Sequence, residues 1–382
     1  MVRIASFNVE NLFSRPKALN PIDWNYGKTI LKAYHEVNTL LSKYYYSESD
    51  KMQIRDLFVK LDIYSINNKG AIRRKRTQYP RWARLRKNRG NFDREPKNKT
   101  QNVEITAKGC ADWIGWVELA KETTNEVGTR MTSRVIQDVN ADIIGIIESE
   151  DRPSLVRFNN DLLDGMYDHV MLIDGNDKRG IDVGIMTRDN FEIKSIQSNV
   201  DLEDNAGIVF SRDCPQYKIC TPNGIELNIL VNHFKSQSGG GDAKRKRQSI
   251  QVRKIVDDLV SQNKHVVVLG DLNEGPSNPD SQADNLIDLF DNNSPLVDCY
   301  SLSGFQVGNR PGTYDTCSLK KRFDYILISK SLKPHFNSGS VFRKGLWGTR
   351  VTRPDKWPIY PDMTKSTEQA SDHAAVYIDL DI

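Results

Sequence analysis

Carboxylates, amides and two histidines recur in this chain wherever a short apolar run stops. Such residues can bind a hard cation and move protons. Asn8 and Glu10 follow IASF, Glu148 closes ADIIGIIE, and Asn232 and His233 close LNILVNH. Asp271 and Asn273 follow VVVLG, Asp324 opens an apolar run in RFDYILIS, and Asp372 and His373 precede AAVYI. Each has an ordinary explanation when taken alone: Gly-Asp-Leu-Asn at 270–273 is a good turn sequence, and an Asp-His pair ahead of a strand can serve as a cap. Capping does not explain six such groups together, because sheet enzymes gather their reacting groups at strand ends. Oxygen donors without a cysteine cluster suit Mg2+ or Mn2+ better than zinc. Histidines beside acids exchange protons near neutral pH. The set supplies what phosphodiester hydrolysis requires: a cation against the phosphate charge, a base for water and an acid for the leaving oxygen.

The elements that must position these groups follow from periodicity. Short apolar runs predict strands at 4–8, 143–148, 182–187, 227–231, 266–270, 324–328 and 374–378. Several are apolar throughout, as expected when both faces of a sheet are covered. Amphipathic stretches at 131–139 and 243–260 predict helices between them, the second with Ile250, Ile255, Val256 and Leu259 on one stripe. That alternation is α/β. Residues 14–128 break the rhythm. Leu31, Tyr34, Val37, Leu40, Leu41 and Tyr44 stand at helical spacing, and so do Trp113, Trp116, Val117 and Ala120. The segment reads as an inserted, mostly helical subdomain after the first strand, with those aromatics in its core.

At 382 residues and 38% hydrophobic content the chain can bury a sizeable core, which excludes a disordered polymer. No apolar run approaches the length of a spanning helix. The opening MVRIASFNVENLF has no leader pattern, so the expected compartment is the cytoplasm, with no membrane partner. Cys110, Cys214, Cys220, Cys299 and Cys317 are odd in number and not in CxxC spacing, which argues against a disulfide scaffold and a zinc ribbon.

Net charge is only +4, but residues 71–99 hold 12 Lys/Arg against 2 acids. A basic run is often just a solvated loop. Here Tyr79, Trp82 and Phe92 are interleaved with the cations, and the combination points to nucleic acid: cations follow the phosphates while rings stack on bases. Arg73, Arg74, Lys75, Arg76 and Trp82 are the candidate contacts.

The ordered motifs FNVENL, DIIGIIE, NHFKS, GDLNEGP, RFDYILIS and SDHAAV resemble the endonuclease/exonuclease/phosphatase superfamily, the deoxyribonuclease I-like and exonuclease III-like metal-dependent phosphoesterases, over residues 1–13 and 129–382. The resemblance implies a four-layer α/β sandwich of two packed mixed sheets flanked by helices, with the site at one end. It implies Glu148 as the principal metal carboxylate, with Asn8 beside it and Asp372 nearby. Asp271 would orient or deprotonate water, Asn273 would hold a phosphate oxygen, and His373, polarised by Asp324, would be either the general base or a transition-state stabiliser. His233 in NHFKS matches the second histidine of deoxyribonuclease I-like members. RGIDVGIM, and NHFKS followed by Arg247 and Gln248, are similar to signatures of bacterial nuclease members. That likeness makes Arg179, Asn232 and Lys235 candidate substrate contacts. Ile147 departs from the Gln that many members carry, and compact members lack the long insert. His35, His169, His265 and His335 lie in no motif and are taken as structural or surface residues.

The expected activity is therefore that of a Mg2+- or Mn2+-dependent nuclease acting on DNA, as an endonuclease, with the insert gripping nucleic acid or pairing two chains. Inositol-phosphate or sphingomyelin-type phosphoester hydrolysis is the enzymatic alternative, and a catalytically inactive nucleic-acid-binding module is the second.

Overall fold

The computed structural model describes residues 1–19, 24–77, 80–123, 126–237, 239–348 and 357–382. They form an α/β protein with six α-helices and two mixed sheets of seven and six strands, beside five two-stranded ribbons. Two compact units divide the chain: residues 1–13 with 123–382, and residues 14–122. No helix among the described residues is long and apolar enough to cross a membrane. All five cysteines are free.

In the larger unit, Val2–Leu12 is central to the seven-stranded sheet, pairing parallel to Ile143–Ser149 and antiparallel to Ala375–Leu380. The six-stranded sheet has Glu226–His233 parallel to His265–Asp271, which runs antiparallel to Asp324–Ser329. Residues from both sheets share one buried cluster, including Ile4, Ile143, Ile147 and Ile378 from the first and Ile229, Val267, Leu269 and Ile326 from the second. Gly145 marks how closely they approach, since a Cβ there would lie 2.3 Å from Leu269 Cδ1. The opposite face of the first sheet is covered by Val127–Val139 and Arg152–Leu162, and that of the second by Asp242–Ser261. Burial on both faces explains why these strands are apolar throughout rather than alternating.

Local chemistry sets the helix limits. Asp151 caps Arg152–Leu162 by accepting from Ser154 N, and Asn140 ends Val127–Val139 in the left-handed conformation that Asn tolerates. All seven expected strands and both expected helices of this unit form. The strands that periodicity missed, such as His169–Ile173, Glu192–Gln197 and Phe336–Phe342, are polar or edge segments.

The smaller unit is not mostly helical. It has two helices, Trp24–Leu41 and Glu48–Lys60, and several ribbons, the longest pairing Ala83–Gly90 with Trp113–Leu119. Much of the basic run is therefore strand. The helical expectation for Trp113, Trp116, Val117 and Ala120 fails because residues 113 and 117 also satisfy the two-residue strand period. Trp113 and Val117 are buried while Trp116 is 53% exposed. Tyr44 lies beyond the first helix and is 83% exposed, not in the core. Ser47 and Asp50 form a capping box that starts the second helix. Tyr64, Phe58, Phe92 and Trp113 form a chain of edge-on and tilted ring contacts through the core of this unit.

Candidate active site

Pairing register brings the polar strand ends into one row. In the six-stranded sheet His233 stands opposite Asp271, and Asp271 opposite Asp324. Gly270 is held at φ +134°, and a Cβ there would lie 2.0 Å from Asn232 O, so only glycine fits before Asp271. In the other sheet Asn8 pairs with Ile147, which leaves Glu148 at the same end, and Asp372 and His373 enter just ahead of Ala375–Leu380. Glu10, Glu148 and Asn273 all have positive φ, at 50°, 70° and 57°. Backbone strain of that kind concentrates where side-chain direction matters more than stability.

These residues surround an open, polar cavity of about 340 Å3, whose lining includes Glu10, Glu148, Arg179, Arg212, His233, Asp271, Asn273, Asp372 and His373. Asn8 lies behind it, donating from Nδ2 to Asp271 Oδ2 at 3.1 Å and accepting at Oδ1 from Glu10 N. His373 Nδ1 is 2.8 Å from buried Asp324, which fixes the ring so that Nε2 faces Asp271 at 3.7 Å. His233 Nε2 lies 3.5 Å from Glu148 and 3.7 Å from Asp271, and its Nδ1 has no hydrogen-bond partner among the described residues. Asp271, Asp324 and His373 each offer an atom within 4.8 Å of the others, so this buried group could hold a metal ion.

The electrostatics separate two histidines of the same type. Burial opposes charge on His373, but Asp324 and Asp271 overcome it and push its pKa well above the ordinary value, which favours the imidazolium. Burial, with Arg212 and His373 nearby, drives His233 well below the ordinary value, so it is neutral. Burial, aided by Asp324 and Glu148 and opposed by His373, pushes the Asp271 carboxyl up to about 7. Glu10 is pushed up to about 7 by burial and by Asp372.

Several expected contacts lie elsewhere. Asn232 is 1% exposed, donates to Leu230 O and is not part of the cavity lining. Lys235 also lies outside that lining; its backbone N donates to buried Gln248, so the downstream Gln braces the loop after His233. Arg247 pairs with Asp204. Arg179 does face the cavity while making a two-pronged pair with Asp177. In the smaller unit, Arg73 pairs with Glu95 and three backbone carbonyls, Arg74 with Asp93, and Lys75 with Asp62. Lys75 and Arg76 are exposed, Arg76 the more so, at 3.5 Å from Glu95. Trp82 and Phe92 are buried, so neither has a face for a base, and Tyr79 lies outside the described residues. His35, His169, His265 and His335 are all absent from the cavity lining.

Sequence reasoning missed Arg212, which is buried, pairs with Asp177 at 3.0 Å and lines the cavity. It also missed Tyr314, whose ring centroid is 4.8 Å from that of His373 and which lines the cavity together with Lys321 and Phe323. Neither has a periodicity signal. Arg212 precedes its strand by several residues, and Tyr314 reaches His373 through an isolated bridge.

Residues 88–381 match the Endonuclease/Exonuclease/phosphatase family. No curated protein matches the chain. Among solved structures, a mannosyl-6-phosphatase from Bacteroides thetaiotaomicron is similar at 18% identity and TM-score 0.48, over 67% of this chain and 92% of that one. A truncated TDP2 from Caenorhabditis elegans has 19% identity and TM-score 0.46, over 66% and 90%. The human Nocturnin catalytic domain with bound sulfate has 16% identity and TM-score 0.45, over 66% and 85%.

Proposed function

Because the chain belongs to the endonuclease/exonuclease/phosphatase family, we propose that it is a divalent-metal-dependent nuclease that hydrolyses phosphodiester bonds of DNA, as an endonuclease. The observation that carries the chemistry is a cavity in which His373, held by Asp324 at 2.8 Å, and His233 stand on either side of the Asp271 carboxyl, each 3.7 Å from it through Nε2. The nucleic-acid reading is supported by charge: residues 14–122 contain 23 Lys/Arg and 12 Asp/Glu, while the rest of the chain is net acidic.

The donors fit a hard cation. Glu10, Glu148, Asp271 and Asp372 crowd one cavity, and burial with mutual repulsion raises the pKa of Glu10, Asp271 and Asp372. Glu148 and Asp372, with the Asn8 amide oxygen, would hold Mg2+ or Mn2+. When bound, that ion neutralises charge on the phosphate oxygens. Asp271 takes the proton of the attacking water, held for this by the Asn8 amide. His373, locked by Asp324, presents Nε2–H to the phosphate and stabilises charge that grows in the transition state. Asn273 keeps one amide hydrogen on Phe234 O and has the other for a phosphate oxygen. Arg179 and Arg212, both anchored on Asp177, place positive charge at the cavity wall. His233, neutral and 3.5 Å from Glu148 through Nε2, is placed to donate a hydrogen bond from its ring to the leaving oxygen, which takes its proton from solvent.

The test is turnover by purified full-length protein with Mg2+ or Mn2+ on covalently closed and linear DNA, on RNA, on inositol phosphates and on sphingomyelin. Nicking of the closed circle is the expected result. Turnover confined to inositol phosphates or sphingomyelin would replace the nuclease reading with the small-substrate one.

A further inference from the structure

The basic run has a second face that the paired residues do not account for. In the ribbon of Ala83–Gly90 with Trp113–Leu119, the register sets Arg84 opposite Glu118, Arg86 opposite Trp116, and Arg89 opposite Ile114. The intervening pair, Leu85 opposite Val117, turns inward, with Val117 1% exposed. A register shift between Lys87 and Arg89 adds one residue to the basic strand and brings Arg89, rather than Asn88, opposite Ile114. The outward face therefore carries three guanidinium groups and one carboxylate around two exposed apolar side chains, Trp116 at 53% and Ile114 at 51%. Arg86 is tied to Glu118 at 2.6 Å, whereas Arg89 has no ionic partner and Trp116 no ring or cation partner among the described residues.

We propose that this outward face binds single-stranded nucleic acid, with Trp116 stacking on an unpaired base and Arg86 and Arg89 on the flanking phosphates. The argument is chemical. An indole left half exposed offers a flat apolar surface that any base can cover, and stacking of this kind contributes about 1 to 3 kcal/mol per base. Residues two apart on a strand recur every 7 Å or so along one face, so cations beside the ring form a row that a phosphate backbone can follow. The surplus of positive charge on the face, within a unit of 23 Lys/Arg against 12 Asp/Glu, favours a polyanion over a second copy of the same basic surface. Unpaired bases are required because paired ones have no face available to a side chain on a ribbon surface. This deepens the nuclease reading and rests on it for biological meaning, but the binding itself does not depend on turnover.

The experiment uses full-length protein in excess EDTA, so that nothing is cleaved, with a labelled oligothymidylate of about 30 nucleotides and a duplex of equal length. The single strand should bind more tightly than the duplex. Trp116→Ala should weaken single-strand binding about tenfold, the factor equal to about 1.4 kcal/mol, while Trp116→Tyr keeps most of the affinity. Arg86→Ala with Arg89→Ala should flatten the salt dependence by up to about 0.7 log units for each phosphate no longer neutralised. The unfolding temperature of each variant separates weakened binding from a damaged fold. The proposal is overturned if Trp116→Ala keeps wild-type affinity, or if Trp116→Tyr loses as much as Trp116→Ala. It is equally overturned if Trp116→Ala converts a dimer to a monomer without changing affinity, which would give the face to a second chain. A protein that cleaves DNA but ignores these substitutions rejects this inference alone; one that binds through Trp116 but cleaves nothing rejects the nuclease reading alone.

Discussion

Glu148 is held at φ 70°, a conformation that costs stability and aims its carboxylate into a cavity beside His233. Glu148→Gln keeps the shape and removes one negative charge from a cation site with few carboxylates. Activity should fall at least about 100-fold with the unfolding temperature unchanged, and excess EDTA should abolish turnover in the wild type. Undiminished turnover in EDTA would rule out the metal-dependent mechanism. The histidine opposite gives a pH test. His373 owes its raised pKa to Asp324 and Asp271 acting against burial. In Asp324→Asn the opposing effect of burial remains while the main anion is gone, so the imidazolium loses its proton at lower pH. The alkaline limb of the single-turnover rate should therefore move to lower pH, with the maximal rate down about 100-fold or more. On the acid side the rate should rise until Asp271, pushed up to about 7, is ionised, and added cation should shift that limb downward by favouring the carboxylate. A profile in which neither limb moves would mean that His373 and Asp271 are not the titrating pair.

At the scale of elements, the site depends on register, whereas the basic unit depends on buried ion pairs. Asp93 is nearly closed to solvent and accepts from Tyr64 at 2.6 Å, Arg74 at 2.8 and 2.7 Å, and Lys87 at 2.8 Å, joining three ribbons. Burial works against its charge, but these donors prevail and hold its pKa below the usual carboxylate value. A depressed carboxylate stabilises the fold fully above its unfolded pKa of about 3.9 and loses that contribution as pH falls through the lower folded value. The smaller unit should thus begin to lose stability below about pH 4. Asp93→Asn should cost about 2 kcal/mol at neutral pH, because hydrogen bonds to charged groups contribute about 1.5 to 3 kcal/mol. Urea unfolding at two pH values measures both effects. If Asp93→Asn is as stable as wild type at pH 7, the network contributes nothing and Arg74 and Lys87 return to the pool of available cations.

For the molecule as a whole, charge is divided between the two units, with the basic surplus in residues 14–122 and the acidic cavity in the rest. Sequence alone nominates the cluster at 73–76 for nucleic acid, but all four members lie at ion-pair distance from carboxylates of their own unit, Arg76 at the longest, 3.5 Å. Removing Arg74 should therefore lower the unfolding temperature rather than the affinity. Arg76→Ala should leave stability alone and change the salt slope for duplex DNA by no more than about 0.9, the value for a single phosphate. A large drop in affinity in stable Arg74→Ala protein would restore the cluster to the interface.

The sequence determined the chemistry and its address. Six motifs, each bordering an apolar run, marked Asn8, Glu148, His233, Asp271, Asp324 and His373 before any fold was known, because a buried strand announces itself by continuous apolar residues and the polar group beside it has few other reasons to be there. The tertiary structure decided which of those groups touch and which cations are free. His233 and His373 are the same residue type, and only burial next to Arg212 in one case and contact with Asp324 in the other push their pKa values in opposite directions. Arg212 and Tyr314 join the site through loops that carry no periodicity. In the basic segment, helix and strand spacing coincide at Trp113 and Val117, so which aromatic is core and which is exposed was settled by ribbon pairing. Whether a lysine or arginine is available to a ligand depends on carboxylates distant in sequence, such as Asp62 and Glu95, and that is a property of packing rather than of composition.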